Sequence, residues 1–250
     1  MPLPEETLGR ETNTDGKITT HADILLYGST GAGKTYRAAT APGPLYVIGP
    51  DPTGHKSIPF PVKGKVLNKT DEIRDIILGF QEGGHGYQTL IVDGLTFIYD
   101  MFVAEVGQYF HLNMGAKDPD LLPITGRIKI LNMYRKMIRA LINLTQVPEE
   151  SNRVHVIFTT LEERVKEDDT APFLIRPLLG SASANLFAAF FSIIGYIEQS
   201  QERLASGVPN EQRTMLFTNA DGKLARDKLG IFPLEGEAPN FSDYLIKGGS

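Results

Sequence analysis

The segment GSTGAGKT, Gly28 to Thr35, constrains this chain more than any other feature of its 250 residues. It satisfies the spacing G-x-x-x-x-G-K-[ST], with the apolar run ADILLYG (Ala22–Gly28) before it and TYRAATA after it. A strand, a glycine-rich turn and a helix in that order wrap backbone N–H groups around an anion, and the helix N-terminus adds partial positive charge. Gly28, Gly31 and Gly33 permit the tight path, and Ser29, Thr30, Ala32 and Tyr36 complete the cradle. Lys34 then brings a charge to the β- and γ-phosphates of a nucleotide, and Thr35 a hydroxyl to Mg²⁺. The cofactors expected from this loop are ATP and Mg²⁺.

The rest of the chain alternates in period. Short apolar runs recur at Pro44–Gly49, Gln88–Gly94, Arg153–Thr160, Ser192–Gln199 and Arg213–Ala220. Such runs suit strands buried on both faces. Helical patterns lie between them: one after Lys34, one over Thr70–Phe80, one after Asp93 and one over Gly126–Leu144. The second opens on a Thr70 cap with an acidic first turn and stops at Gly83–Gly84. This alternation predicts a mostly parallel, doubly wound α/β sheet. The turn SGVPN (Ser206–Asn210) predicts an antiparallel hairpin at one edge. Residues 1–20, polar and aperiodic, read as a flexible leader, residues 21–246 as one domain, and 247–250 as a flexible tail.

Composition removes several classes of function. The chain has no cysteine, so a thiol nucleophile, a disulfide scaffold and a Cys-based metal site are excluded. Its five histidines (21, 55, 85, 111, 155) form no HExxH pattern. No apolar run approaches the roughly 18 residues that span a bilayer, so no membrane partner is expected. The formal net charge of −5 argues against a generally basic nucleic-acid coat, though not against a local basic face.

Further residues carry possible chemistry. Asp93 ends the apolar run TLIVDG about sixty residues after Lys34, where an acid can hold the metal through water. Asp51, in VIGPDPTG, suits a base or water-positioning group, or equally an ordinary turn. Thr159 and Thr160 end VIFTT, either as γ-phosphate contacts or as β-branched strand residues. The segment Gly126–Leu144 carries Arg127, Lys129, Arg135, Lys136 and Arg139 and no acid. Ile130, Met133, Tyr134, Met137, Leu141 and Leu144 share one helical arc, which leaves the cations on the other. Cations so arranged track a phosphate backbone, touch a neighbouring subunit, or remain solvated. The stretch His111–Gly126 reads as a loop, either a lid or a DNA-facing segment.

In this order, GSTGAGKT, LIVDGLTFIYD (90–100), VIFTT (156–160) and ARDKLG (225–230) resemble the RecA-like core ATPases. Among these the likeness is to short phage recombination ATPases of the Sak single-strand-annealing type, and it extends over about residues 22–246. It implies a catalytic acid at Asp51, where the family has Glu, and a γ-phosphate sensor at Thr160. It also implies a mobile DNA-binding loop at Glu162–Ser181 with Arg164, Lys166 and Arg176, although Glu162, Glu163, Glu167, Asp168 and Asp169 dilute its charge. Gly180–Phe191 resembles the helix that closes that loop. The related phage pattern Ala-Lys-Asp-Arg appears here as Ala225-Arg226-Asp227-Lys228, which makes Arg226 and Lys228 cations aimed at a neighbour's γ-phosphate.

The resemblance therefore implies an ATP-hydrolysing protein acting on single-stranded DNA in phage recombination or replication. It further implies a homo-oligomeric ring or filament in the bacterial cytoplasm, with a phage or host single-strand-binding protein as a further partner. Two alternatives stay open: a P-loop kinase for nucleotides or metabolites, and a non-hydrolysing ATP-dependent DNA loader.

Overall fold

The structure, a computed structural model, describes residues 21–110, 122–166, 172–180, 184–203 and 209–245. The expected leader (1–20) and tail (247–250) lie outside these residues, as do most of the 111–126 loop, positions 167–171 and 181 of the expected DNA loop, and positions 206–208 of the expected hairpin turn.

The strands and helices run β1 (Asp23–Gly28), α1 (Lys34–Ala38), β2 (Leu45–Gly49), β3 (Lys63–Val66), α2 (Asp71–Glu82), β4 (Thr89–Val92), α3 (Leu95–Tyr109) and α4 (Ile124–Ile142). The second half adds β5 (His155–Val165), β6 (Leu174–Pro177), α5 (Ala184–Ala188), β7 (Ile193–Arg203), β8 (Pro209–Leu216), β9 (Arg226–Asp227) and β10 (Glu235–Glu237). One sheet joins them in the order β10-β8-β7-β1-β5-β4-β2-β3, with β6 paired to β5 and β9 to β7. The six strands from β7 to β3 are mutually parallel. β8, β10, β6 and β9 pair antiparallel. The mostly parallel α/β sheet expected from the alternating runs is therefore the fold.

Strand alternation divides the core into two layers. Leu25 and Tyr27 of β1 point into a cluster with α2, α3, α4 and α5, whereas Ile24 and Leu26 point toward α1 and the C-terminal Phe241 and Leu245. Helices thus cover both faces, as continuous apolar strands require. β5 lies between β1 and β4, so the phosphate-loop strand is separated from the Asp93 strand by the strand that carries Thr159 and Thr160.

Three local expectations are corrected, and one strand, β3, was not expected. The β7–β8 hairpin is antiparallel as expected, but it is not the sheet edge, because β10 pairs outside β8. Thr70 does not cap α2; its hydroxyl donates to Glu105. Glu72 reaches back instead and accepts from the N–H groups of Asn68 (2.7 Å) and Lys69 (3.2 Å). β3, a short exposed edge strand of sequence KGKV, has no apolar run to announce it. Finally, the expected loop 162–181 begins as the continuation of β5, which runs to Val165 and pairs with β6, Glu163 facing Arg176.

Candidate nucleotide-binding site

The loop between β1 and α1 takes the path its glycines allow: Gly31 and Gly33 have φ of +82° and +90°. Gly28 cannot be replaced for a second reason, since a Cβ there would lie 2.3 Å from the Ile197 carbonyl oxygen of β7. Lys34 Nζ folds back onto the loop and donates to the carbonyls of Gly28 (3.0 Å) and Ser29 (2.7 Å). Burial pulls its pKa down to about 8, against the opposing pull of the Asp93 and Glu162 charges. An ammonium held this way is poised to exchange carbonyl partners for phosphate.

Asp93 is buried at the end of β4, and its Oδ1 accepts from two hydroxyls, Thr35 Oγ1 at 2.7 Å and Thr159 Oγ1 at 2.6 Å. Thr159 in turn accepts from the Gly94 N–H at 2.9 Å. Three elements distant in sequence therefore meet at one carboxylate. The hydroxyl of Thr35 and the carboxylate of Asp93 fit Mg²⁺, which takes hard oxygen donors, few of them from protein, and fills its shell with phosphate and water. Among the described residues no group of three or more His, Cys, Asp or Glu could hold a metal alone. When bound, the cation would neutralise phosphate charge, while the chain's own part is to hold Thr35 and Asp93 in register.

Strand phase decides between the two threonines. Thr159 faces Asp93, whereas Thr160 Oγ1 donates to the Leu178 carbonyl (2.8 Å) and shares a hydrogen with Thr96 Oγ1 (2.9 Å). Both threonines border the cleft, but only Thr159 bonds to Asp93.

Asp51 also borders the cleft. Its Oδ1 accepts from the Thr53 hydroxyl (2.6 Å) and N–H (2.7 Å), and these bonds hold its pKa below the usual carboxylate value. The carboxylate is thus ionised and fixed. A Cβ on Gly54 would lie 2.3 Å from Asp93 Oδ2 and 3.9 Å from Asp51 Oδ2, so both acids flank the same gap.

The cleft encloses about 390 Å³, and its walls also include Thr96, Phe97, Ser57 and Arg213. None of these four is singled out by the sequence motifs. Tyr36 (38% exposed) and Phe97 (39% exposed) offer aromatic surface there.

The remaining expected site residues lie elsewhere. Arg226 is level with Ile194, which pairs with Leu25 of β1, and Leu25 lies three residues (about 10 Å) before Gly28. Its guanidinium donates to the carbonyls of Ala188 (2.5 Å) and Phe191 (3.0 Å), closing the end of α5. Lys228 is exposed beside it, 3.5 Å from the Ala189 carbonyl. Neither lines the cleft of its own chain.

On α4, Ile130, Tyr134, Met137, Ile138 and Leu141 are buried, and Arg127, Lys129, Arg135, Lys136 and Arg139 are exposed. Lys129 stacks on Tyr109 at 4.0 Å, and Arg139 and Arg135 on Phe190 at 4.7 and 5.7 Å. Among the described residues Lys129, Arg135, Lys136 and Arg139 form no ion pair with a carboxylate. Arg164 and Arg176 do pair, with Glu162 (3.5 Å) and Glu163 (2.7 Å), and Lys166 stacks on Phe173 at 4.7 Å.

Sheet order, phosphate loop and the carboxylate bonded to Thr35 together define a P-loop ATPase-type domain. The sequence over residues 20–229 matches the AAA domain family, and the chain belongs to it. No curated protein matches the chain. Among the described residues no helix is long and apolar enough to cross a membrane.

Proposed function

We propose that this chain binds and hydrolyses ATP with Mg²⁺ and couples that cycle to single-stranded DNA, as a phage-type recombination or replication ATPase. Support for the nucleotide half comes from Lys34, Thr35 and Asp93 meeting in one cleft with the fixed, ionised Asp51 at its rim. In this reading Asp51, at the cleft rim, orients the attacking water, and the Thr159 hydroxyl holds Asp93 in position.

The observation that carries the DNA half is the α4 face. Arg135, Lys136 and Arg139 are exposed and, among the described residues, form no ion pair with a carboxylate, and Phe190 lies under the guanidinium groups of Arg135 and Arg139. Cations interleaved with an aromatic ring suit a flexible phosphate strand whose bases can stack. Through Ala188–Phe191 this face adjoins Arg226 and Lys228, so it also offers a route for a neighbouring subunit to sense the strand. In that assembly Lys228, the exposed member of the pair, reaches the neighbour's γ-phosphate, and Arg226 braces the turn that carries it.

The test is phosphate release from ATP with and without single-stranded DNA. Several-fold stimulation is expected. Turnover that DNA leaves unchanged would remove the DNA half. A second reading has one observation in its favour: both Asp51–Thr53 bonds use the same carboxylate oxygen and tie Asp51 into its own turn, as in a loader that binds ATP without hydrolysing it. Tight ATP binding with negligible phosphate release would favour that reading.

A further inference from the structure

The cleft contains a cation that the loop motif does not supply. Arg213 belongs to β8, far from Lys34 in sequence, and shares its side of the strand with Met215. Met215, with Phe217 two residues beyond, is buried in the layer that holds α1, so period-two alternation puts Arg213 on the α1 face as well. Its cross-strand partner is Gln199, three residues past Tyr196, which pairs with Tyr27 near the end of β1. β7 and β8 thus overrun β1, and Arg213 projects over the phosphate loop. Its Nε and Cζ fill the space that a Cβ on Gly33 would take, at 3.1 and 3.2 Å.

This half-buried guanidinium lacks a partner for its one enclosed donor. Nε is shut away from solvent with no hydrogen-bond partner, and among the described residues no carboxylate forms an ion pair with Arg213. The charge beside it is another cation. Arg37 of α1 also has a buried Nε without a partner, while its NH1 donates to Asn240 Oδ1 at 3.1 Å. Burial lowers the Arg37 pKa and Arg213 adds to the shift, with Tyr36 and Glu237 opposing it. Two neighbouring guanidiniums with unused buried donors are costly unless an anion completes them. The anion expected in the cleft is polyphosphate, because Gly31, Gly33, Lys34 and Thr35 of the phosphate loop line it together with Arg213.

We propose that Arg213 is a nucleotide-contacting residue, which holds the phosphate chain of ATP from within the same subunit, on the Gly33 side of the loop. The proposal rests on the reading of the cleft as an ATP site. Its planar fork suits two oxygens at once, which Lys34, a point charge, does not supply. The site then grips the nucleotide from both faces of the loop, and occupancy is communicated to the β7–β8 ribbon.

The test compares binding of ATP and of inorganic tripolyphosphate, each by displacement of a fluorescent ADP analogue, to the full chain and to Arg213→Gln, Arg213→Lys and Lys34→Ala. Arg213→Gln is expected to weaken both ligands about tenfold or more, with Arg213→Lys recovering part of the loss and the melting temperature of neither variant falling. If Arg213→Gln weakens ATP but leaves tripolyphosphate unchanged, the residue contacts base or ribose and the proposal is overturned. If it changes neither ligand while Lys34→Ala loses both, the proposal also fails although the ATP reading stands. Failure of the unmodified chain to bind ATP would instead overturn that underlying reading.

Discussion

The C-terminal edge of the parallel strands and the flank formed by α4, α5 and β9 both gather polar residues from distant parts of the chain, yet they do so differently. At the strand edge the partners are specific and short-ranged: Thr35 and Thr159 both donate to one oxygen of Asp93 at 2.6–2.7 Å, and Lys34 binds two loop carbonyls. On the flank Arg135, Arg139 and Lys228 are exposed and lie over a ring or at a carbonyl, and among the described residues none of the three forms an ion pair with a carboxylate. A site that stabilises charge in a transition state needs preorganised donors in a water-poor cleft. A surface that holds a flexible polyanion needs charge density more than fixed geometry. Under the proposed function the first region carries chemistry and the second contact, so perturbations should separate them.

The largest expected effect is at the cleft. Lys34→Ala should reduce ATP turnover by about 100-fold or more, the scale of removing one preorganised donor. The melting temperature should hold, because the lysine bonds only to loop carbonyls. Turnover within threefold of the unmodified chain would dissolve the contrast between the regions.

A pH titration sharpens the same point. With its pKa near 8, Lys34 is charged in the free protein below that pH and neutral above it. ATP binding selects the charged form, so affinity should be flat below pH 8 and fall by up to about tenfold per unit above it. Stability has the opposite sign. The unfolded lysine keeps its proton to about 10.4, so stability rises as the pH climbs from about 8 to that value. ATP affinity that stays constant to pH 9.5 would show that Lys34 is not the group in control.

The flank can be divided by its own pair. Arg226→Ala removes a donor shared by two carbonyls and should lower stability by about 1–3 kcal/mol, whereas Lys228→Ala should leave the melting temperature unchanged. If Lys228 acts on a neighbour, mixing Lys34→Ala with Lys228→Ala should restore part of the turnover that each lacks. Co-assembly of the two variants with no recovery would return Lys228 to an ordinary surface residue.

The smallest effect is on salt dependence. Changing Arg135, Lys136 and Arg139 together to Gln should weaken single-stranded DNA binding and reduce the slope of log affinity against log salt by about 2, near 0.7 per lost phosphate contact. ATP affinity without DNA should stay the same. An unchanged slope would move the α4 face from DNA to subunit contact.

What was legible in the sequence follows the same division. The loop residues Gly28–Thr35 act through contiguous backbone, so spacing alone revealed them, and the apolar runs carried most of the parallel sheet. Asp93 was visible because its strand is continuously apolar. Thr159 could not be separated from Thr160, since both are β-branched and only pairing with β1 and β4 fixes the phase. β3 and the extension of β5 into LEERV were hidden because their faces are exposed or polar. Arg213 was hidden for another reason: its position depends on how far β7 and β8 overrun β1, and strand length beyond a core has no apolar signature. In loop 162–181 the pairing of Arg164 with Glu162 and of Arg176 with Glu163 depends on the β5–β6 register, which has no signature in the sequence.

The central claim is that the carboxylate at the end of β4 and the phosphate loop form one Mg²⁺-dependent ATP-hydrolysing centre. The direct measurement is steady-state phosphate release from ATP by the full chain and by Asp93→Asn, each with Mg²⁺ and with EDTA. The account predicts release that requires Mg²⁺ and falls at least about 100-fold in Asp93→Asn, with the fold retained because Asn keeps the volume and one acceptor oxygen. Release that persists in EDTA, or an Asp93→Asn protein as active as the unmodified chain, would contradict it.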